Sequence, residues 1–595
     1  MDKIINQFKY FLFFLGHLKS RIYAALLLSI AVGVLDGIGL SMFLPLFQMV
    51  DGGNQANPES LGNLSFILDI ITGLGFQLNL KLVLSAILFF FSIKGVMKFF
   101  EQYVNSYNQQ FFIKKLRGEN IELLNNFSYK AFSLADSGRI QNTLSGEMSR
   151  VSAAYKFYFA AMQAGVLLVV YISLAFLSNF QFAFFVSVGG VLSNFVFRKI
   201  YKKTKVLSRK ITDENHIFQG LLIQNVSFFK YLNASGLKLV FAKKLHDSVG
   251  TIKRYGVKMG YYNSLLLGLR EPIVILIVVA VIHLQVNVMM QNLGLIILTL
   301  LFFYRALSSL MTLQTQWNSF LNMSGSIDNL VEYEKEILMH QDKKGHLLLE
   351  TISGKIELSN VSFSYDSKAN IIDGISLDIG NNETVAIVGE SGSGKTTLIN
   401  LIAGLLPTSQ GSLKIDGVEI SSLDLPLYQR RIGYITQEPI IFEDTVFNNI
   451  TFWAERTPEN LARFWAAARA AAIEDYIKEL PMLEMTSFGI NGVQVSGGQK
   501  QRLSIARELY KEIDLLILDE ATASLDSETE LVVQKNIERL KGKYSILIVA
   551  HRLSTIRSAD KVILLAKGKI AGKGTFSELY KDSDYFKKMV DLQKG

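Results

Sequence analysis

Two long stretches of the chain carry no charge. Residues 157–197 run for 41 positions without an Asp, Glu, Lys or Arg, and residues 272–304 run for 33. About 20 apolar residues suffice for one membrane-spanning helix. The first run therefore predicts two spans with a tight reversal near Ser178 and Asn179. The segment from about 261 to 312 predicts two more. Earlier spans are expected near 22–48, interrupted by Asp36, and near 79–105, interrupted by Lys94 and Lys98. A soluble helical core does not explain an uncharged run far longer than a globular helix. The expectation is an α-helical domain of six spans.

Loop charges orient these spans, because basic residues stay on the cytoplasmic side. The first residues carry Lys3, Lys9, Lys19 and Arg21, and residues 108–152 carry Lys114, Lys115, Arg117, Lys130, Arg139 and Arg150. A third basic stretch opens with Arg198, Lys199, Lys202, Lys203, Lys205, Arg209 and Lys210, whereas 49–78 and 283–292 contain no Lys or Arg. Basic and neutral loops alternate, so both ends of the chain are expected in the cytoplasm. The first apolar stretch shows no cleavable-signal pattern and reads as the first span. Segments 108–152 and 198–260, added to their flanking spans, predict helices of about 50 residues, roughly 75 Å long. Leu64–Ile71 in the neutral outer loop has apolar residues at helical spacing. It reads either as an amphipathic helix on the outer surface or as a helix packed on neighbouring spans.

After about residue 345 the pattern changes to short β runs punctuated by glycine, which divides the chain into domains at 1–345 and 346–595. Val385-Ala386-Ile387-Val388 reads as a buried strand. It leads into Gly389, Glu390, Ser391, Gly392, Ser393, Gly394, Lys395, Thr396 and Thr397, then an apolar helical stretch. That is the strand–loop–helix setting of a phosphate-binding loop. Its backbone N–H groups would face phosphates at a helix N-terminus, with Lys395 reaching the β- and γ-phosphates and Thr396 binding Mg²⁺. A second apolar strand, Leu515–Leu518, ends in Asp519 and Glu520. A carboxylate at such a strand end suits Mg²⁺, and the next one is placed to orient the attacking water. A third strand, Ser545–Val549, delivers His551 as a γ-phosphate sensor. The expected second domain is an α/β P-loop ATPase.

These residues carry a family resemblance. Val495-Ser496-Gly497-Gly498-Gln499, upstream of Asp519-Glu520 and His551, resembles the signature motif of ABC transporters, and the whole set follows the family order. The resemblance places Tyr365 where an aromatic stacks on adenine, and Gln437 in the loop that binds Mg²⁺ and joins nucleotide state to the membrane helices. It implies a half-transporter of exporter type acting as a dimer of two identical chains. Ser496, Gly498 and Gln499 of one chain would then close over ATP held by the other. Three departures stand out. Val495 replaces the usual Leu, Ala523 and Ser524 are exchanged in order, and Ile490 stands where exporters often carry an acid. The last puts one coupling contact in doubt and leaves hydrolysis intact.

Composition narrows the function further. Hydrophobic residues make up 49% and charged residues 19%, with mean hydropathy +0.27, too apolar for an ordinary soluble enzyme or a disordered chain. The absence of cysteine excludes disulfides and thiol chemistry. Residues 1–350 carry 33 Lys and Arg against 20 Asp and Glu, and residues 351–595 carry 28 against 32. A net +13 followed by −4 does not describe a nucleic-acid binder.

Charges inside spans are costly and face a cavity or a partner. Asp36, Lys94, Arg270, Glu271 and Arg305 are such residues. One reading pairs them for packing, Arg270 with Glu271 or Asp36. The sharper one lines a central cavity with Lys94, Arg270 and Arg305 to receive an anionic headgroup, since arginine forks suit phosphate. The basic residues in spans two, five and six, and Phe302–Leu307, resemble bacterial flippases of lipid-linked oligosaccharides. The expected function is thus an ATP-driven translocase in the plasma membrane, moving a lipid-linked or amphipathic anionic substrate out of the cytoplasmic leaflet. A peptide or drug exporter and a nucleotide-gated membrane regulator remain as alternatives.

Overall fold

The computed structural model describes residues 2–50, 73, 79–287, 293–342, 345–366, 369–489, 495–519, 532, 535, 536, 538–550 and 553–592. The side chains of 189–199 and of Arg270 are among those outside the described set. The chain separates into two compact units, Met1–Leu123 with Gly138–Glu336, and Leu124–Ser137 with Ile337–Gly595.

The first unit is helical. It contains α1 (Asp2–Leu18), α2 (Arg21–Ser41), α3 (Phe43–Val50) and α4 (Leu80–Asn125). The short α5 (Tyr129–Leu134) belongs to the second unit, and α6 (Ser137–Asn142) follows. A single π-helical turn over Thr143–Glu147 leads into α7 (Met148–Ser178). Then come α8 (Phe180–Ser227), α9 (Phe229–Ala234), α10 (Lys238–Asn287) and α11 (Leu293–Met339). The expected reversal falls at Asn179, which is extended (φ −149°, ψ 102°) between α7 and α8. α4, α8 and α10 run for 46 to 50 residues, as the long basic segments predicted, whereas α7 has 31; α11 runs for 47 without adjoining either segment.

Among the described residues, five helical stretches are long and apolar enough to cross a membrane. They are Arg21–Leu46, Leu80–Asn125, Ser137–Ser178, Lys238–His283 and Ile297–Met339. The remaining expected span falls on α8. The outer-loop segment Leu64–Ile71 lies outside the described residues.

Aromatic rings tie four of these helices together. Phe14 of α1 meets Phe112 of α4 at 5.5 Å between ring centroids, and Phe112 stacks on Tyr155 of α7 at 5.4 Å. Tyr158 of α7 meets Phe320 of α11 at 5.0 Å. Such pairs add about 0.5–1.5 kcal/mol each beyond area burial. Helix α2 approaches α7 closely through small residues. A Cβ on Gly37 would lie 2.1 Å from Leu174 Cδ1, and one on Gly33 would lie 3.0 Å from Leu167 Cδ2. Small residues at helix seams are how apolar helices pack without a hydrophobic driving force between them.

The second unit holds two sheets. β1 (Ile356–Phe363), β2 (Ile372–Ile379), β4 (Gln410–Ile415) and β5 (Val418–Glu419) form an antiparallel sheet in the order β2-β1-β4-β5. The six-stranded sheet runs β10-β9-β3-β8-β7-β6. Its strands are β3 (Thr384–Val388), β6 (Ile432–Ile435), β7 (Leu515–Asp519), β8 (Ser545–Val549), β9 (Lys561–Ala566) and β10 (Lys569–Gly574). β9, β3, β8, β7 and β6 are mutually parallel, and β10 pairs antiparallel at the edge.

The apolar strand runs follow from burial on both faces. Val385 and Ile387 enter one hydrophobic cluster with Leu515, Ile517 and Leu547. Ala386 and Val388 enter the other with Leu516, Leu518, Ile546 and Ile548. The strand period of two divides each run between these layers. Around the sheet lie α12 (Lys395–Ile402), α13 (Leu425–Arg430), α14 (Val446–Thr451), α15 (Pro458–Ala470), α16 (Glu474–Glu479), α17 (Gly497–Tyr510), α18 (Leu553–Arg557), α19 (Phe576–Asp582) and α20 (Asp584–Leu592).

Candidate functional site

The glycine-rich loop connects β3 to α12, as its sequence context predicted. Gly389 has φ 155°, and a Cβ there would stand 2.2 Å from the Leu565 carbonyl oxygen. Gly394 has φ 102°, and its Cβ would meet Ile372 Cδ1 at 2.9 Å and the Ile371 oxygen at 3.0 Å. Only glycine fits both positions. The loop therefore wraps tightly before α12 begins, and the first N–H groups of that helix lack intrahelical partners. Lys395 is buried, and its Nζ donates to the Gly389 oxygen at 3.0 Å and the Glu390 oxygen at 2.9 Å. Among the described residues, the buried Ser393 hydroxyl has no hydrogen-bond partner. Glu390, Ser391, Gly392 and Thr396 are exposed and Thr397 is buried. A loop wrapped tightly enough to exclude a Cβ at Gly389 and Gly394, an ammonium folded onto it and an orphaned hydroxyl fit a polyphosphate.

Asp519 ends β7 in register with Val549 of β8 and is 9% exposed. β8 lies between β3 and β7. At the usual strand spacing, Asp519 is thus about 10 Å across the sheet from the end of β3. Gln437 lies two residues past β6, the neighbour of β7, and is exposed. Asp519 and Thr396 offer hard oxygen donors of the kind Mg²⁺ takes. Glu520, His551, Ile490, Ala523 and Ser524 lie outside the described residues.

Sequence reasoning missed Tyr434 of β6. Its hydroxyl donates to Asn400 Oδ1 of α12 at 2.9 Å. Burial raises its phenol pKa, helped by nearby Asp519, Tyr129 and Tyr365. Nothing in an alternating strand marked this tyrosine out. Tyr585 of α20 was also missed. Burial, then a hydrogen bond to Glu390, raises its pKa, which sets the last helix against the loop.

Tyr365 is half-buried beyond β1 and meets Phe363 edge-on at 4.9 Å. Lys130 of α5 holds this turn. Its Nζ donates to the Ser364 oxygen at 2.8 Å and lies 5.1 Å from the Phe363 ring centroid. In the sequence Lys130 counted only as one charge of a basic loop.

Ser496 is the N-cap of α17. Its hydroxyl accepts from the Gln499 N–H at 3.3 Å, and Gln499 Oε1 accepts from the Ser496 N–H at 2.9 Å. This reciprocal capping box gives both residues a role in shaping their own helix. Gly498 lies in its first turn. Arg507 fixes the same helix from its far end. It is 6% exposed and donates to the Asn449 oxygen at 2.5 Å, Asn449 Oδ1 at 3.0 Å and the Ile440 oxygen at 2.8 Å. The Phe442 ring lies 5.1 Å from its guanidinium. Burial lowers its pKa.

In the helical unit, three of the charged span residues come together. Asp36 of α2 is 1% exposed. Lys94 of α4 donates to its Oδ1, and the Tyr171 hydroxyl of α7 donates to its Oδ2. Arg305 Nε of α11 lies 3.9 Å from the same Oδ2. Four helices thus place two cations on one carboxylate. Glu271 is exposed on α10, and Arg270 lies in the same helix.

A phosphate-cradling loop at the ends of parallel strands, in one chain with several membrane-length helices, defines a nucleotide-binding membrane protein of the P-loop class. The family model for "ABC transporter" matches residues 372–523. Residues 372–523 are thus an ABC-transporter ATPase segment, in a chain whose fold is half-transporter-like. The chain is 44% identical over 252 residues to the ATP-dependent lipid A-core flippase of Syntrophus aciditrophicus, covering 42% of this chain and 41% of that protein. The chain thus matches less than half the length of that relative. Similarity to the ATP-dependent lipid A-core flippase of Cupriavidus pinatubonensis is 27% over 581 residues, covering 95% and 93%. The fold is that of a bacterial Atm1-family ABC exporter solved with ATP bound, at TM-score 0.74 and 22% identity over 98% of this chain and 99% of that one. It is a multi-pass inner-membrane protein whose nucleotide-binding unit lies in the cytoplasm.

Proposed function

We propose that the chain hydrolyses ATP to drive a lipid with an anionic headgroup out of the cytoplasmic leaflet, working as a homodimer. Lys395, the loop N–H groups and Thr396 hold the phosphates, and Tyr365 stacks on the base. Thr396, Asp519 and Gln437 would hold Mg²⁺, which would supply charge neutralisation at the phosphates. Glu520 orients water, and His551 steadies the terminal phosphate. Ser496, Gly498 and Gln499 close on the nucleotide of the partner chain, with the capping box presetting the start of α17.

The convergence of Lys94 and Arg305 on Asp36 carries the substrate reading. Two fixed cations against one carboxylate leave positive charge in the membrane unit, which an anion leaving water needs. Relatives named for flipping lipid A-core support a lipid cargo. Removing Lys94 and Arg305 alone would strand a buried Asp36. The test is therefore the triple variant Asp36→Asn, Lys94→Gln, Arg305→Gln in proteoliposomes, scored for ATP-dependent flipping of a pyrophosphate-linked lipid. Transport should fall at least tenfold while basal ATPase persists. Wild-type transport by this folded, neutral triple would remove the cationic-cavity reading. For the dimer, chains carrying Lys395→Ala and chains carrying Ser496→Arg are mixed. ATPase should recover in the heterodimers, and its absence in proven heterodimers would argue against a shared site.

A further inference from the structure

A second basic site lies away from the Asp36 cluster, on different helices. Between α8 and α10 is a cavity of about 510 Å³ lined by Lys202, Lys203, Val206, Leu207, Lys258 and Tyr262. Its size falls within the ~300–1,000 Å³ of small-ligand sites. The lining is two-sided in character, with three ammonium groups around an apolar floor. Lys203 Nζ lies 5.3 Å from the Tyr262 ring centroid, so one cation is drawn across the cleft from α8 to α10.

The charge at this site is uncompensated. Among the described residues, none of the three lysines has a carboxylate within ion-pair distance. The nearest acids along the two helices are Asp213 on α8 and Asp247 on α10, at least ten residues away. At 1.5 Å per residue that is about 15 Å, beyond a Debye length at physiological salt.

The level of the site in the membrane is fixed by the sequence. The uncharged run 157–197 stops at Arg198, and Lys202 and Lys203 follow four and five residues later. They lie about 8–9 Å past the end of that run. On α10, Lys258 stands just before the uncharged stretch 259–269. Tyr255, Tyr261 and Tyr262 mark the same level, as aromatic residues do at a membrane–water interface. The cavity therefore lies at the headgroup depth of the cytoplasmic leaflet, where anionic lipids are found and basic clefts between helices hold their headgroups.

We propose that this cleft is a binding site for an anionic phospholipid of the cytoplasmic leaflet, with Lys202, Lys203 and Lys258 on the phosphate and Val206, Leu207 and Tyr262 against the start of the acyl chains. It rests on the membrane orientation and not on the identity of the cargo.

The test uses the full-length protein in detergent, with phosphatidylglycerol and phosphatidylcholine as probes and native mass spectrometry to count bound lipids. Wild type should retain phosphatidylglycerol well above phosphatidylcholine. Each basic residue at such a surface is worth about fivefold, so Lys202→Gln, Lys203→Gln, Lys258→Gln together should weaken phosphatidylglycerol binding about hundredfold. These side chains are exposed, so the variant keeps its fold, and the matching triple Lys→Arg variant should retain the lipid. Glycerol 3-phosphate at millimolar concentration should not compete, because the apolar floor needs a chain. The Asp36, Lys94, Arg305 neutral triple should bind phosphatidylglycerol as wild type does, which separates this site from the transport reading. Binding by the Gln variant within twofold of wild type, equal retention of phosphatidylcholine, or competition by glycerol 3-phosphate would each overturn the proposal.

Discussion

Arg507→Ala tests how the signature helix is held. The guanidinium makes three hydrogen bonds, two to Asn449 and one to the Ile440 oxygen, and is 6% exposed. Truncation leaves the buried Asn449 acceptors short of a donor, whereas Ile440 is an exposed residue and its carbonyl loses less. Each orphaned buried group costs about 1–3 kcal/mol, and loss of stacking on Phe442 adds to it. The buried Asn449 carbonyl, its Oδ1 left on the Phe442 N–H alone, and the lost ring contact total about 3 kcal/mol. For a unit of this size, 1 kcal/mol shifts Tm by about 2–4 °C, so the expected drop is roughly 10 °C. Two of the three tryptophans, Trp453 and Trp465, lie in this unit, and the third is Trp317 of α11. Thermal unfolding of the full-length Trp317→Phe protein, followed by tryptophan emission, therefore reports on the nucleotide unit. Arg507→Lys should fall between, since an ammonium keeps the charge without the fork. A shift below about 3 °C for Arg507→Ala would show that Asn449 and Ile440 find other donors, and would refute the bracing role.

Three further outcomes are expected. Glu520→Gln should bind ATP as wild type does while steady-state hydrolysis falls at least a hundredfold, whereas Lys395→Ala should weaken both; near-normal turnover of Glu520→Gln would dismiss it as the water-orienting group. Gly37→Val should destabilise the membrane unit by about 1–3 kcal/mol or more, because its Cβ would collide with Leu174 at 2.1 Å, and Gly37→Val with Leu174→Ala should recover part of the loss on heating in detergent. Asp444 is held below its usual 3.8, first by the Trp453 N–H and then by Asn448 and the Thr445 N–H. Since the folded-state value is the lower one, its stabilising contribution is complete above the unfolded pKa and is lost as pH falls through the folded value. Trp453 emission, in a Trp317→Phe, Trp465→Phe background, should stay constant from pH 7 to about 4 and shift only below that; a transition near pH 5 would contradict the assignment.

The primary sequence by itself determined what is local or periodic. An uncharged run of 41 demands two spans and a reversal, and the reversal came at Asn179. The four apolar residues before Gly389 read as a strand buried on both faces, and Gly389 and Gly394 sit where a Cβ would strike backbone. The strand pattern also singled out Asp519, and the family resemblance singled out Ser496, because a strand end and a helix start are local events.

Tertiary structure decided which distant residues meet. Asp36, Lys94, Tyr171 and Arg305 are scattered over nearly 270 positions, and the packing of α2, α4, α7 and α11 chose Lys94, Tyr171 and Arg305 as partners of Asp36. Lys130 counted in the sequence as one charge of a basic loop, yet it donates to the turn that carries Tyr365. The lysines of α8 and α10 were legible as loop charge, but their enclosure of one cavity required the two helices to lie side by side. A charge is written at one position, whereas its partner is set by the long-range packing of apolar surfaces, which no spacing rule encodes.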